Sequence, residues 1–144
     1  MRIICICLLF LFYKNAAGQN TDSLKQRYIN QTITRYGIHF LKGSEKLLYK
    51  DLPNELKISE LAMASFNMAK KNRTTATVYR YLSVASMLAS VSFIRNNRDL
   101  AYGFLGGGIV FSLFGARHQT LYNQHLDRAL WQYNKEILFP ENGR

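Results

Sequence analysis

The sequence predicts a mainly α protein: a two-helix transmembrane hairpin, preceded by a small N-terminal β-hairpin/helix unit and followed by a C-terminal amphipathic helix. Two observations carry most of this expectation. Residues 81–94 and 100–116 are free of charge and rich in apolar side chains, and only five polar residues, 95–99, separate them. Segments joined so tightly must run antiparallel, and apolarity on every face calls for lipid or a large core around them. The chain has only 144 residues, so once an N-terminal targeting segment and the hairpin are set aside little remains to build such a core.

Residues 1–18 read as a secretory signal peptide, with Arg2 as the charged start, an apolar stretch over residues 3–13, and Ala16, Ala17 and Gly18 as a small-residue cleavage site. An apolar stretch of 11 residues makes about 17 Å of helix, too short for a membrane anchor. Both cysteines, Cys5 and Cys7, fall inside it, so a cleaved chain has no thiol for disulfide or nucleophilic chemistry. Cleavage also removes Arg2 and Lys14, leaving 17 basic against 9 acidic residues, a formal net charge of +8. In an exported protein that excess is better matched by anionic lipid head groups than by nucleic acid.

Residues 19–73 form the exported N-terminal unit. Residues 19–35 are polar without a sustained apolar period and read as a weakly ordered lead-in. From Thr32 onward Ile33, Tyr36, Ile38 and Phe40 supply strand-forming side chains. Lys42, Gly43 and Ser44 then give a turn signal before Leu47, Leu48 and Tyr49, which predicts a short β-hairpin. Asp51 ahead of Leu52 and Pro53 suits a helix start, because proline at the first turn lacks a donor where none is needed. A second start at Ser59 and Glu60 opens a helix in which Leu61, Ala64, Ser65 and Met68 recur at helical spacing, ending in Lys70, Lys71, Asn72 and Arg73.

Residues 74–116 are the hairpin. Arg80 bounds its first segment, which spans 14 uncharged residues or about 21 Å, against a hydrocarbon thickness of about 30 Å. An arginine at mid-membrane costs about 2.5–3.5 kcal/mol, so Arg80 must lie at the interface. The second segment offers 17 uncharged residues, about 26 Å. Asp99 is placed to cap it, and Asn96 and Asn97 to close the first helix in left-handed geometry. Gly103 and Gly107 stand four residues apart, and Ser83, Ser86 and Ser90 share a face of the first helix, so these five are the expected helix-packing residues. Lys70, Lys71, Arg73 and Arg80 are the expected lipid-headgroup contacts.

Residues 117–144 complete the chain. Tyr122, Leu126, Ala129, Tyr133 and Ile137 keep helical spacing, with Pro140 and Gly143 as the stop. His118, Tyr122 and His125 share a face, but the two histidines lie about 10 Å apart along the axis, too far to grip one ion. Gly106, Gly107 and Gly108 lack the lysine and hydroxyl residue of a phosphate loop. No catalytic constellation, metal set or cofactor motif emerges.

The export segment ending Ala16, Ala17, Gly18, Gln19, the turn at residues 40–43, the Gly-rich hairpin, and Ala129 with Tyr133 and Asn134 resemble a group of small bacterial envelope proteins of uncharacterised function. The resemblance implies an inner-membrane location in the bacterial cell envelope. Signal cleavage puts both termini on the periplasmic side, whereas the four basic residues ahead of the hairpin, against two in its loop, favour the opposite orientation. The expected function is non-enzymatic, structural or interaction-based, with membrane lipids as partners together with a second copy or another envelope protein, and no nucleic acid. The alternative is a soluble exported helical module that binds an apolar ligand or forms an oligomer.

Overall fold

The computed structural model describes residues 25–34 and 37–139. The signal segment at residues 1–18 and the expected stop at Pro140 and Gly143 lie outside the described residues. Two compact units divide the chain, one drawn from residues 1–49 and 137–144, the other from residues 50–136.

The first unit is a three-stranded antiparallel sheet of β1 (Ile29–Thr34), β2 (Gly37–Lys42) and β3 (Glu45–Leu47), in the order β1-β2-β3. Register runs from Ile29↔Lys42 to Thr34↔Gly37 in the first pair and from Phe40↔Leu47 to Lys42↔Glu45 in the second. This corrects two expectations. The supposed lead-in contributes a whole strand from Ile29, and the sheet has three strands where the sequence predicts two. Ile29, Thr32, Ile33 and Thr34 are β-branched, and the amides of Asn30 and Gln31 had masked that pattern. A third strand also answers the marginal stability of a lone hairpin in water.

The β2–β3 loop is the expected turn. Gly43 has φ 60° and is the first of its two loop residues, while no non-glycine residue among those described has positive φ, so the loop takes the glycine-first hairpin form. A Cβ on Gly43 would also stand 3.0 Å from the Gln26 Cα, a second reason for glycine. Among the described side chains of the sheet Ile29 and Phe40 are the buried apolar ones, and the Phe40 ring lies 6.3 Å from that of Tyr49.

The second unit is helical. A short α1 (Leu52–Leu56) carries Pro53 in its first turn and buries Leu52 and Leu56; Asp51 precedes it without a side-chain capping bond. The long α2 (Glu60–Phe93, 34 residues) and α3 (Arg98–Leu138, 41 residues) follow, about 51 and 61 Å by helical rise. Each runs unbroken through the point where the sequence shifts from polar to apolar. No Gly or Pro interrupts residues 60–93, so nothing in the backbone terminates α2 at its basic cluster.

Ser59 caps α2 through its hydroxyl, which accepts from the Ala62 N–H at 3.1 Å. The turn between α2 and α3 differs from expectation in two ways. The Asn96 and Asn97 N–H groups both donate to the Phe93 carbonyl, with no left-handed residue. The cap of α3 is Asn97, whose Oδ1 accepts from the Leu100 N–H at 3.1 Å, while Asp99 sits inside the first turn and complements the helix dipole. Asn97→Ala should therefore cost about 1 kcal/mol, read as a lower melting temperature, with Asp99→Asn costing less. The reverse ranking would reinstate Asp99 as the cap.

Candidate functional site: the helical hairpin

The contact between α2 and α3 is built on a seven-residue repeat of small side chains. Ala62, Ala69, Ala76, Ser83 and Ser90 are buried at every seventh position of α2. On α3 the matching stripe is Ala101, Gly108, half-buried Gly115, Tyr122 and Ala129. A period of seven keeps one stripe facing the partner helix over many turns, and small residues let the backbones approach.

Side chains beside the stripe hold the antiparallel register along its length. Near the open end Ser59 donates to the Glu136 carboxylate, and Ser65 to the Gln132 side-chain oxygen at 2.8 Å. Next the Arg73 guanidinium lies 5.9 Å from the centre of the Tyr122 ring, and Tyr79 stacks on Phe114 and His118 at 5.6 and 5.7 Å. Toward the loop the Ser83 and Ser90 hydroxyls donate to the Gly108 and Ala101 carbonyls, each at 2.8 Å, and Phe93 stacks on Phe104. Because the acceptors are carbonyls of the opposite helix, these two serines tie helix to helix. Ser83→Ala and Ser90→Ala should each lower hairpin stability by about 1 kcal/mol in detergent, and the double variant by about their sum. An unchanged thermal midpoint in both would deny the bonds any holding role.

The sequence-predicted packing residues divide. Ser83 and Ser90 are in the seam and Ser86 is half-buried beside it. Gly103 is exposed and Gly107 half-buried, and a Cβ on either would meet nothing within 4 Å, so this pair does not face α2. The close approach is one residue further on, at Gly108, where a Cβ would stand 3.1 Å from Met87 Cγ and 3.3 Å from the Ser83 carbonyl oxygen. Sequence reasoning passed over Ala62, Ala69, Ala76, Ala101 and Gly108, although their strict spacing of seven was the available signal.

Along its length the hairpin changes character. Between residues 60 and 76 α2 buries Phe66 with its alanines, and between residues 122 and 134 α3 buries Tyr122, Leu126, Leu130 and Tyr133. Between residues 81 and 116 sixteen large apolar side chains are exposed, fifteen on the two helices and Ile94 at the start of the loop, while Ala101 is the one buried apolar residue. The seam there is Ser, Gly and Ala, so the large side chains can only point outward. Of the two helices α3 is long and apolar enough to cross a membrane, and only 17% of its most apolar stretch is buried within the protein.

Polar groups around the transition are satisfied within their own helix. Asn72, Thr74, Thr75 and Thr77 donate to carbonyls four residues earlier, as do Ser92 and Thr120 further along. Lys70, Lys71, Arg73 and Arg80 are exposed or half-exposed on the α2 side of this transition. His118 is engaged, its Nδ1 lying 2.9 Å from the Asn72 Oδ1. Among the described residues no group of three or more His, Cys, Asp or Glu side chains is placed to hold a metal ion. Gly106, Gly107 and Gly108 lie within continuous α3 and form no loop. No protein family, curated protein or solved structure matches the chain.

Proposed function

We propose that this is a non-enzymatic protein of the bacterial cell envelope that inserts the loop half of its α2–α3 hairpin into the inner membrane. The sheet unit and the open end of the hairpin stand on the periplasmic side, and the loop at residues 94–97 faces the cytoplasm. One observation carries the reading: between residues 81 and 116 both helices expose large apolar side chains on the sides turned away from a seam made of small residues. In water sixteen large apolar side chains exposed on one hairpin would call for a partner surface, whereas in lipid they are the expected exterior.

The charges support the same placement. Arg80 and Arg117 mark the open-end boundary of the apolar zone, and Arg95, Arg98 and Asp99 mark the loop end. Fourteen and seventeen uncharged residues are short for a full bilayer, a mismatch that snorkelling of the flanking arginines relieves. Lys70, Lys71, Arg73 and Arg80 then lie toward the headgroup layer, with membrane lipids as the partner.

Alkaline carbonate extraction of the tagged full chain tests this. Retention of the protein in the pellet is the expected result. Release into the supernatant would favour a soluble exported module that covers the same sixteen side chains with an apolar ligand or other copies of itself.

A further inference from the structure

At the boundary of the apolar zone an open groove of about 460 Å³ lies between α2 and α3, lined by Arg80, Ser83, Val84, Ser112, Gly115, Ala116 and Gln119. It exists because the residues that should fill it are small. Gly115 has no side chain, its would-be Cβ already lying 3.5 Å from Tyr79 Cβ, and Ser83 is turned away to donate to the Gly108 carbonyl.

The lining is amphiphilic. Arg80, Gln119 and Ser112 supply donors, the Gln119 amide giving one N–H to Asn123 Oδ1 at 3.4 Å and keeping its second, and Val84 and Ala116 supply apolar wall beside them. Arg80 has no hydrogen-bond or ion-pair partner among the described residues. Nor can the hairpin provide one nearby: from residue 61 to residue 126 the chain holds seven basic residues and a single acid, Asp99, at the far loop. An anionic group placed against Arg80 would meet no competing carboxylate from this stretch of the hairpin.

We propose that this groove binds one acidic phospholipid per hairpin, its phosphate on the Arg80 guanidinium and the Gln119 amide and its acyl chain along Val84 toward the loop end. A guanidinium offers paired N–H donors matched to a phosphate, and the strongly basic hairpin selects an acidic lipid over a zwitterionic one. The inference rests on the membrane reading above and deepens it, turning general headgroup attraction into a single built site.

Native mass spectrometry of the detergent-purified full chain tests the proposal, with phosphatidylglycerol, phosphatidylcholine and soluble glycerol phosphate as probes. The expected result is one phosphatidylglycerol per chain, bound about tenfold more weakly by Arg80→Gln, as loss of one charged hydrogen-bonding group implies. Ala116→Leu, an exposed lining position off the seam that fills the groove while keeping the charge, should weaken it similarly, and Arg95→Gln at the loop should leave it unchanged. A lowered thermal midpoint identifies an Ala116→Leu chain whose packing is disturbed, in which case Arg80→Gln against Arg95→Gln decides. Equal loss in those two variants, no loss in Arg80→Gln, or equal retention of phosphatidylcholine would overturn the site. Binding of glycerol phosphate as tight as that of the lipid would overturn the lipid assignment. Carbonate extraction of the wild type in parallel separates the two readings, since release there refutes membrane insertion whatever the lipid count.

Discussion

Leu88→Lys combined with Ile109→Lys should release the protein from membranes. Leu88 is 65% and Ile109 51% exposed, near the middle of the two apolar segments, and neither lies on the seven-residue seam. In water a lysine at such positions changes stability by no more than about 0.5 kcal/mol. At the centre of a bilayer each lysine costs about 2.5–3.5 kcal/mol, so the pair costs about 5–7 kcal/mol, comparable to the whole gain from the Leu, Val, Ile and Phe residues of both segments at about 0.3–0.6 kcal/mol each. The checking measurement is carbonate retention of the double variant beside Met68→Lys, an exposed position on the open half of α2 that should remain in the pellet. Retention of the double variant at the wild-type level would mean that these side chains do not meet lipid. A soluble, fully folded double variant would fix where the lipid contact was.

Gly108→Leu should open the hairpin. Any side chain there enters a space bounded by Met87 Cγ at 3.1 Å and the Ser83 carbonyl oxygen at 3.3 Å. Met87 can move, but the carbonyl belongs to the backbone of α2, so the helices must separate. Overpacking costs about 1–3 kcal/mol. Separation also removes the Ser83 bond to the Gly108 carbonyl and strains that of Ser90 to the Ala101 carbonyl, each worth about 1 kcal/mol. A total near 4 kcal/mol should appear as a large drop in the thermal midpoint in detergent, by circular dichroism. Gly107→Leu is the sharp comparison, because residue 107 is turned about 100° from residue 108 and a Cβ there meets nothing within 4 Å. It should leave the midpoint unchanged or raise it, since leucine is the better helix former by nearly 1 kcal/mol. Equal midpoints for the two variants would contradict the packing described. A change in oligomer size confined to Gly107→Leu would reveal a second copy on the outward glycine face.

Much of the architecture was legible residue by residue. The Lys42, Gly43, Ser44 turn, the helix starts at Leu52 and at Ser59 with Glu60, and the antiparallel return after residues 95–99 all follow from local chemistry: a glycine where φ must be positive, a hydroxyl where an N–H needs a partner, a loop too short for any other path. The cap at Asn97 was one step from the residue expected. Two asparagines and an aspartate stand in a row there, and which one caps depends on where α2 releases the chain at Phe93. Strand β1 was missed because two adjacent amides, Asn30 and Gln31, interrupt its β-branched residues and leave no alternation in the sequence, so that its pairing with β2 alone reveals it.

The hairpin interface was the hardest part to read, because the usual search looks for large apolar residues on an inner face, and here they are outside. By itself the sequence determined that two uncharged helices lie antiparallel, how long each apolar zone is, and that basic residues flank both zones. Only the tertiary structure decided which rotational face of each helix turns inward. Leu, Val, Ile and Phe occur all round these helices, so composition cannot choose a face. Close backbone approach can choose one, and it is granted only by the stripe from Ala62 to Ser90 set against the stripe from Ala101 to Ala129, with Gly103 and Gly107 left on the outside.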